Sequence, residues 1–244
     1  TYTENYRGDP ETLDYFSLTP NVFGNFSIST NLIRTAFETS TSQASPTFEQ
    51  FRANRLVVAR RLAEQAGINT NDPNNLDPEG FPLGFGKTNQ AVLLPAFLAA
   101  YSGEDASSVS LGAFRNTPLP NWNMKYIGLM RWNCFKERFA RFSIEHGYTS
   151  NYTINQFQNN LEYDRVDPFG EFNKDQNGNF INRLFIGNIN LSEQFTPLIK
   201  LDFEMKNSVS VLAEIRKDRM LSLSFNNNLL TEIQGDEYRV GLGY

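Results

Sequence analysis

The chain holds a single cysteine, Cys134, and a single histidine, His146. One cysteine excludes an internal disulfide framework and any metal site built on several thiolates. One histidine excludes a multi-histidine metal site. Net charge is −5 and no basic cluster stands out, which argues against a nucleic-acid partner. No run reaches the roughly 20 apolar residues that a membrane-spanning helix needs. That lack leaves a β-barrel open, because barrel strands alternate and keep mean hydropathy low. Neither an initiating Met nor a signal-peptide pattern opens the sequence, and its last run stops in mid-alternation at Tyr244. A piece of a longer polypeptide is therefore expected.

Aromatic residues are plentiful, with 21 Phe and 10 Tyr. They suit the girdles of a barrel and equally an aromatic-rich soluble β domain. The stretch ARFSIEHGYTSNYTI, residues 140–154, sets Phe142, Ile144, His146, Tyr148, Tyr152 and Ile154 against Arg141, Ser143, Glu145, Thr149 and Asn151. That period of two is a strand signature. Residues 199–215 repeat it, with Ile199, Leu201, Phe203, Val209 and Val211 against Lys200, Asp202 and Glu204. Similar runs fall at 22–37, 122–132, 184–195, 221–233 and 238–244, with turns at Thr196-Pro197 and Gln234-Gly235-Asp236. The pattern predicts about seven antiparallel strands.

One segment departs from this period. Ser45-Pro46 reads as an N-cap followed by proline at the first helical position, and Gly67 as the stop of a helix over 48–66. A Pro/Gly/Asn/Asp loop covers 69–86, and a second apolar helix covers 89–101, with Pro95 kinking or starting it. The expected organisation is a polar lead-in and strand at 1–38, a helical insertion at 39–121 acting as cap or lumen plug, and antiparallel strands at 122–244. The fold class is all-β with a helical insertion.

A soluble sandwich and a membrane barrel share this alternation. Length favours the barrel. A strand tilted about 45° rises roughly 2.3 Å per residue, so a ~25 Å apolar band needs about 10 or 11 residues. The runs at 140–154, 199–215 and 221–233 satisfy this. Long and short connections also alternate, as barrels arrange them. Lys206-Asn207-Ser208 offers a hairpin turn, but its arms would be short for a membrane, so one continuous strand is expected. The soluble alternative is a β-sandwich binding or adhesin module.

Other motifs are weak. Asn173-x-Asp175-x-Asn177-Gly178 has calcium-loop spacing, but Leu184 stands where the bidentate Glu belongs. Gly80–Thr88 fails phosphate-loop spacing because Phe81 replaces the first glycine. Asp164, Asp167, Glu171 and Asp175 form the one dense acidic group, which reads as a solubilising loop. No enzyme, cofactor or catalytic residue is expected. The arginines of 48–66 read as a solvated face. His146 and Tyr148 fall about ten residues beyond the link at 134–137, where an outer membrane interface favours amphipathic rings.

Several segments together resemble one family: FEQFRANRLVVARRLA (48–63), GFPLGFGKTNQAVLLPAFLAAYSG (80–103), PLPNWNMKYIGL (118–129), SIEHGYTSNY (143–152) and LTEIQGDEYRVGLGY (230–244). The chain resembles an internal piece of the SprA/Sov family, giant outer-membrane translocons of the type 9 secretion system of Bacteroidetes, linked to gliding motility. That resemblance implies a barrel larger than this chain can supply, passing folded cargo at the bacterial outer membrane. It also implies a PorV-like barrel at a lateral opening and a periplasmic plug protein as partners. In such a barrel Phe142, Ile144, Ile199, Leu201, Phe203, Val209 and Val211 are expected to face membrane lipid or a partner. Arg141, Glu145, Lys200, Asp202 and Glu204 are expected to face the lumen, because a Lys or Arg turned to the midplane costs about 2–4 kcal/mol.

Overall fold

The structure is a computed structural model that describes residues 6–8, 15–17, 22–41 and 44–244. The expected polar lead-in lies outside the described residues, apart from a short antiparallel pair, β1 (Tyr6–Gly8) with β2 (Tyr15–Ser17). One antiparallel sheet of six strands carries the rest: β3 (Phe23–Ser29), β4 (Trp122–Tyr126), β5 (Phe139–Asn159), β6 (Leu184–Met205), β7 (Ser210–Ser224) and β8 (Leu229–Gly243). From β5 to β8 neighbours in sequence are neighbours in the sheet. The sheet is open, with β8 at one edge and β3 and β4 at the other.

Those last two strands are halves of one. β3 pairs with residues 151–158 of β5, and β4 pairs with 144–148 of the same side. Between them Thr30 N donates to Ser150 O (3.0 Å) and Leu119 N donates to Ser29 O (3.1 Å), so the ladder is nearly continuous. Residues 31–118 therefore leave and re-enter one edge strand halfway along its length.

The insertion forms as its caps predict. In α1 (Pro46–Gln65) the Ser45 hydroxyl accepts from Phe48 N, Pro46 holds the first helical position, and Gly67 takes the left-handed conformation just past the end (φ 76°). α2 (Gln90–Ser102) starts on Asn89, whose side chain accepts from Ala91 N, and contains Pro95 in its interior rather than at its start. Every side chain of α2 from Val92 to Tyr101 is buried, so this helix is the centre of the core. α1 contributes Phe51 and Val58 to it, and the sheet contributes Tyr152, Ile154, Ile189, Leu191, Leu221 and Leu223.

Several expected boundaries need correction. The strand expected at 22–37 ends at Ser29, and Ile33–Thr35 is a 3-10 turn. The run at 122–132 is strand only to Tyr126, and the link that follows contains a short helix, α3 (Asn133–Arg138). Thr196-Pro197, a cis peptide, lies within β6 rather than in a turn. The continuous strand expected at 199–215 is a hairpin: the chain reverses at Lys206-Asn207-Ser208, and Met205 N donates to Val209 O (2.8 Å). The run at 221–233 likewise reverses at 225–228, and β8 passes straight through Gln234-Gly235-Asp236. The physical cause is common to these hairpins. Short turns built on Asn207 and Asn226-Asn227-Asn228, with Ser208 and Asn228 at positive φ, return the chain with its apolar side chains still alternating.

At one level β5 and β6 lose register together, between Glu145 and Tyr148 on one strand and between Lys200 and Phe195 on the other. Gly147 sits there, and a Cβ on it would meet Thr196 O at 2.8 Å. Backbone cannot yield as a side chain can, so Gly147→Val is expected to destabilise the fold by about 1–3 kcal/mol. The denaturation midpoint checks this against Thr149→Val on the open polar face, which is expected to change little.

Candidate functional site

Directly paired residues of neighbouring strands share a face of a sheet. Between the 206–209 turn and the level of Thr196, rows of pairs therefore define two surfaces. On one, Phe142, Phe203, Val211 and Leu242 form a row, and Ile144, Leu201, Ala213 and Val240 form the next. Ile199, Ile215 and Tyr238 form a third. Phe135 of α3 packs on Phe142 at one corner of this band, and the members farthest from it are open, with Tyr238 72%, Val240 76% and Leu242 78% exposed.

The opposite surface of the same rows is charged. Glu145 binds Lys125 (2.6 Å) and Lys200 (2.9 Å), and Arg141 binds Asp202 (3.2 Å) and Glu204 (3.0 Å). Arg216 binds Glu214 (2.6 Å) and Glu237 (3.7 Å), and Glu237 also binds Arg239 (2.7 Å). Each cation on this half of the face has an anion beside it, so the charges balance one for one. Glu214 is buried at 7% exposure, whereas Arg141, Lys125, Glu237 and Arg239 are open, and open pairs contribute little stability each. Their consequence is a polar surface without net charge.

Beyond the level of Thr196 the two faces continue with different partners. The apolar one disappears under the insertion, where Tyr152, Ile154, Ile189, Leu191, Leu221 and Leu223 are at most 1% exposed. The other stays open and becomes largely uncharged, with Thr149, Asn151, Thr153, Asn190, Ser192, Ser222 and Thr231 paired across strands, and with Asp218, Met220 and Ile233 exposed among them. One sheet thus carries a bare apolar band, a covered apolar half and an uncovered polar back.

A buried polar clamp marks the border between bare and covered halves. Arg219 Nη1 and Nη2 donate to Thr35 O (2.8 Å) and Thr35 Oγ1 (2.9 Å), and Nη2 lies 3.2 Å from Glu193 Oε2. Tyr148 OH donates to Glu193 Oε1 (2.8 Å) and accepts from Leu32 N (2.9 Å). Thr35 Oγ1 reaches Tyr101 O at the end of α2 (2.7 Å). Strands β5, β6 and β7 are thereby tied to the root of the insertion. Burial raises the Glu193 carboxyl above the usual carboxylate range, against the pull of Arg219 and Tyr148. Glu193 and Arg219 occupy positions in register with Leu191 and Leu221, so opposite charges in apolar register were the signal that the sequence reading missed.

The other expected residues take these places. Tyr148 is fully buried, a core group rather than an interfacial ring. His146 is half-buried between Trp122 and Phe195, with Nδ1 2.7 Å from Leu198 O. Val209 closes the hairpin turn instead of standing on a strand. Asn173 spends its amide on Asp164 N and Pro168 O, and Asp175 Oδ1 accepts from Asn177 N and Asn179 N. Asp164 Oδ1 likewise accepts from Val166 N and Asp167 N. These side chains hold turns, and no cluster of His, Cys, Asp or Glu among the described residues could hold a metal ion. At Gly84 a Cβ would strike the Phe180 ring, and Lys87 is engaged by Glu79, so the 80–88 loop packs on protein. Arg61, expected on a solvated face, donates to Ala106 O (2.7 Å) and Val109 O (2.9 Å).

The fold and faces define a two-faced antiparallel sheet with a helical unit inserted in its edge strand. No family model matches the chain, and no curated protein matches its sequence.

Breaking the clamp at one partner leaves a buried charge uncompensated. Arg219→Met is expected to cost about 3–5 kcal/mol. Glu193→Leu combined with Arg219→Met is expected to recover most of that loss, since neither charge then remains buried. Denaturation midpoints of the two variants check the difference.

Proposed function

We propose that this sheet is a section of the wall of a protein-conducting channel in the bacterial outer membrane, as the SprA/Sov resemblance implies. The bare apolar band faces lipid, or a PorV-like barrel where the wall opens. The charge-balanced back lines a water-filled path for folded secreted proteins, and a periplasmic plug protein closes that path at rest. The observation that carries this reading is the coincidence, on the same rows of the same four strands, of an apolar face that the insertion leaves uncovered and a charge-balanced, ion-paired face.

Closure of the wall follows from backbone chemistry. In hydrocarbon an unpaired strand edge is costly, so only a closed ladder is tolerated. The edges at β8 and at β3 with β4 would pair with further strands of a larger barrel. No helix among the described residues is long and apolar enough to cross a membrane; on this reading the strands are the crossing elements. On this reading the insertion cannot be a lumen plug. It sits on the apolar face, hence outside the wall, and it begins where the bare band ends. The helices then rest beyond the membrane on the outer side, covering strands that continue into water. The wall acts through shape and polarity and not through bond chemistry.

The alternative, a soluble sandwich or adhesin module, requires a second apolar layer over Leu201, Phe203 and Val240. Labelling separates the two. In protein carrying Cys134→Ser, which removes the exposed native thiol, Leu201→Cys is expected to react with a membrane-soluble maleimide. Asp202→Cys should react with a charged thiosulfonate, and Leu221→Cys, under the insertion, with neither. Equal reaction of positions 201 and 202 with the charged reagent would overturn the assignment.

A further inference from the structure

The link between β4 and β5 gathers features that the channel reading does not use. Lys125, Arg131, Lys136 and Arg138 fall within fourteen residues of a chain whose net charge is −5. Lys125 is engaged by Glu145, but Arg131 and Lys136 form no ion pair among the described residues. Lys125, Tyr126, Ile127, Met130, Arg131 and Lys136 line a groove of about 450 Å³. Large apolar groups stand open around it: Tyr126 is 55% exposed, Ile127 61% and Trp132 59%.

Aromatic contacts run to the bare band from Trp132, the residue that follows Arg131 of the groove in sequence. Trp132 meets Phe135 (6.2 Å between ring centres), Phe135 meets Phe142 (5.1 Å), and Phe142 stacks on Phe203 (5.6 Å). Cations thus sit at the end of a continuous apolar track. A ligand that fits both has an anionic head and a hydrocarbon tail. Trp and Tyr beside Lys and Arg at the rim of an apolar band is also the chemistry of a membrane interface.

We propose that this groove binds the phosphate headgroup of an anionic phospholipid, with its acyl chains lying on the Trp132–Phe135–Phe142–Phe203 track. Arg131 and Lys136 supply the charge, and Tyr126 supplies a hydroxyl at the rim. The inference rests on the reading of the bare band as lipid-facing. It adds a preferred lipid at the end of the wall opposite the insertion, and it fixes the height of the sheet in the bilayer.

The test uses the protein purified from its membrane and reconstituted in phosphatidylcholine vesicles containing phosphatidylglycerol. One lipid at a time carries brominated acyl chains, which quench tryptophan on contact. The Trp132 signal is the difference between wild type and Trp132→Phe. At equal mole fraction, brominated phosphatidylglycerol is expected to occupy the site roughly tenfold more readily than brominated phosphatidylcholine, given two cations near the headgroup plane. High salt, and the double variant Arg131→Gln with Lys136→Gln, should abolish the preference while quenching by both lipids persists. Equal quenching by both lipids in wild type would overturn the headgroup site and leave the lipid-facing band intact. Quenching by neither would mean that protein or water covers the groove, which overturns the site. If Leu201→Cys also fails to react with the membrane-soluble maleimide, the lipid-facing band falls with it.

Discussion

Alternation along a strand is the constraint on which everything else here depends. From Phe142 to Ile154 on β5 the even positions keep to one face, even across the register shift at Gly147, because the excess residues on β6 preserve parity there. The same face runs along β6 from Ile189 to Phe203 and along β7 from Val211 to Leu223. A single apolar surface therefore extends along the whole sheet, and it needs two different covers. Helices α1 and α2 supply one. The other lies outside the described residues, and we propose that it is membrane.

Energetics explain why the border falls where it does. Burying a leucine or isoleucine contributes about 1.5–3 kcal/mol relative to leaving it exposed, so the rows under α2 are fixed by the insertion. Next in line on the same face come Glu193, Arg219 and the Lys217–Asp236 pair. Charges in that position are tolerated only with partners, and Thr35, Tyr148 and Glu232 surround them. The clamp thus both anchors the root of the insertion and ends the helix-covered zone. Below it the apolar rows resume beyond the reach of the insertion, with a corner at Phe142 met by Phe135. Glu145, Lys200, Glu214 and Arg239 on the reverse face explain why those rows cannot simply turn inward.

The sequence revealed faces better than directions. That Leu201 and Phe203 share one side of β6 and Lys200 and Asp202 the other is legible because period two is a local property. The reversals at 206–208 and 225–228 are not legible, since a short turn leaves Met205, Val209 and Val211 in unbroken alternation. The length that a membrane strand requires argues for one continuous strand, and the hairpin overrides it. Asn207 and the run Asn226-Asn227-Asn228 were the available turn signals. The helical insertion was legible from Ser45-Pro46 and Gly67, whose capping roles are local too. Its position on the apolar face was not legible, because that depends on β3 and β4 being one interrupted strand, a pairing between residues far apart in sequence. The burial of Tyr148 is not legible for the same reason: it comes from Leu32 and the insertion root, not from its own strand.

Electron cryomicroscopy of the protein purified from its membrane and held in lipid nanodiscs tests the central claim most directly. The account predicts a lipid belt against Phe142, Ile144, Leu201, Phe203, Val211 and Val240, with α1 and α2 standing on the same side just beyond the belt and solvent behind Glu145 and Lys200. A second protein layer packed along the whole length of that band, or a belt lying against the charged face, would contradict it.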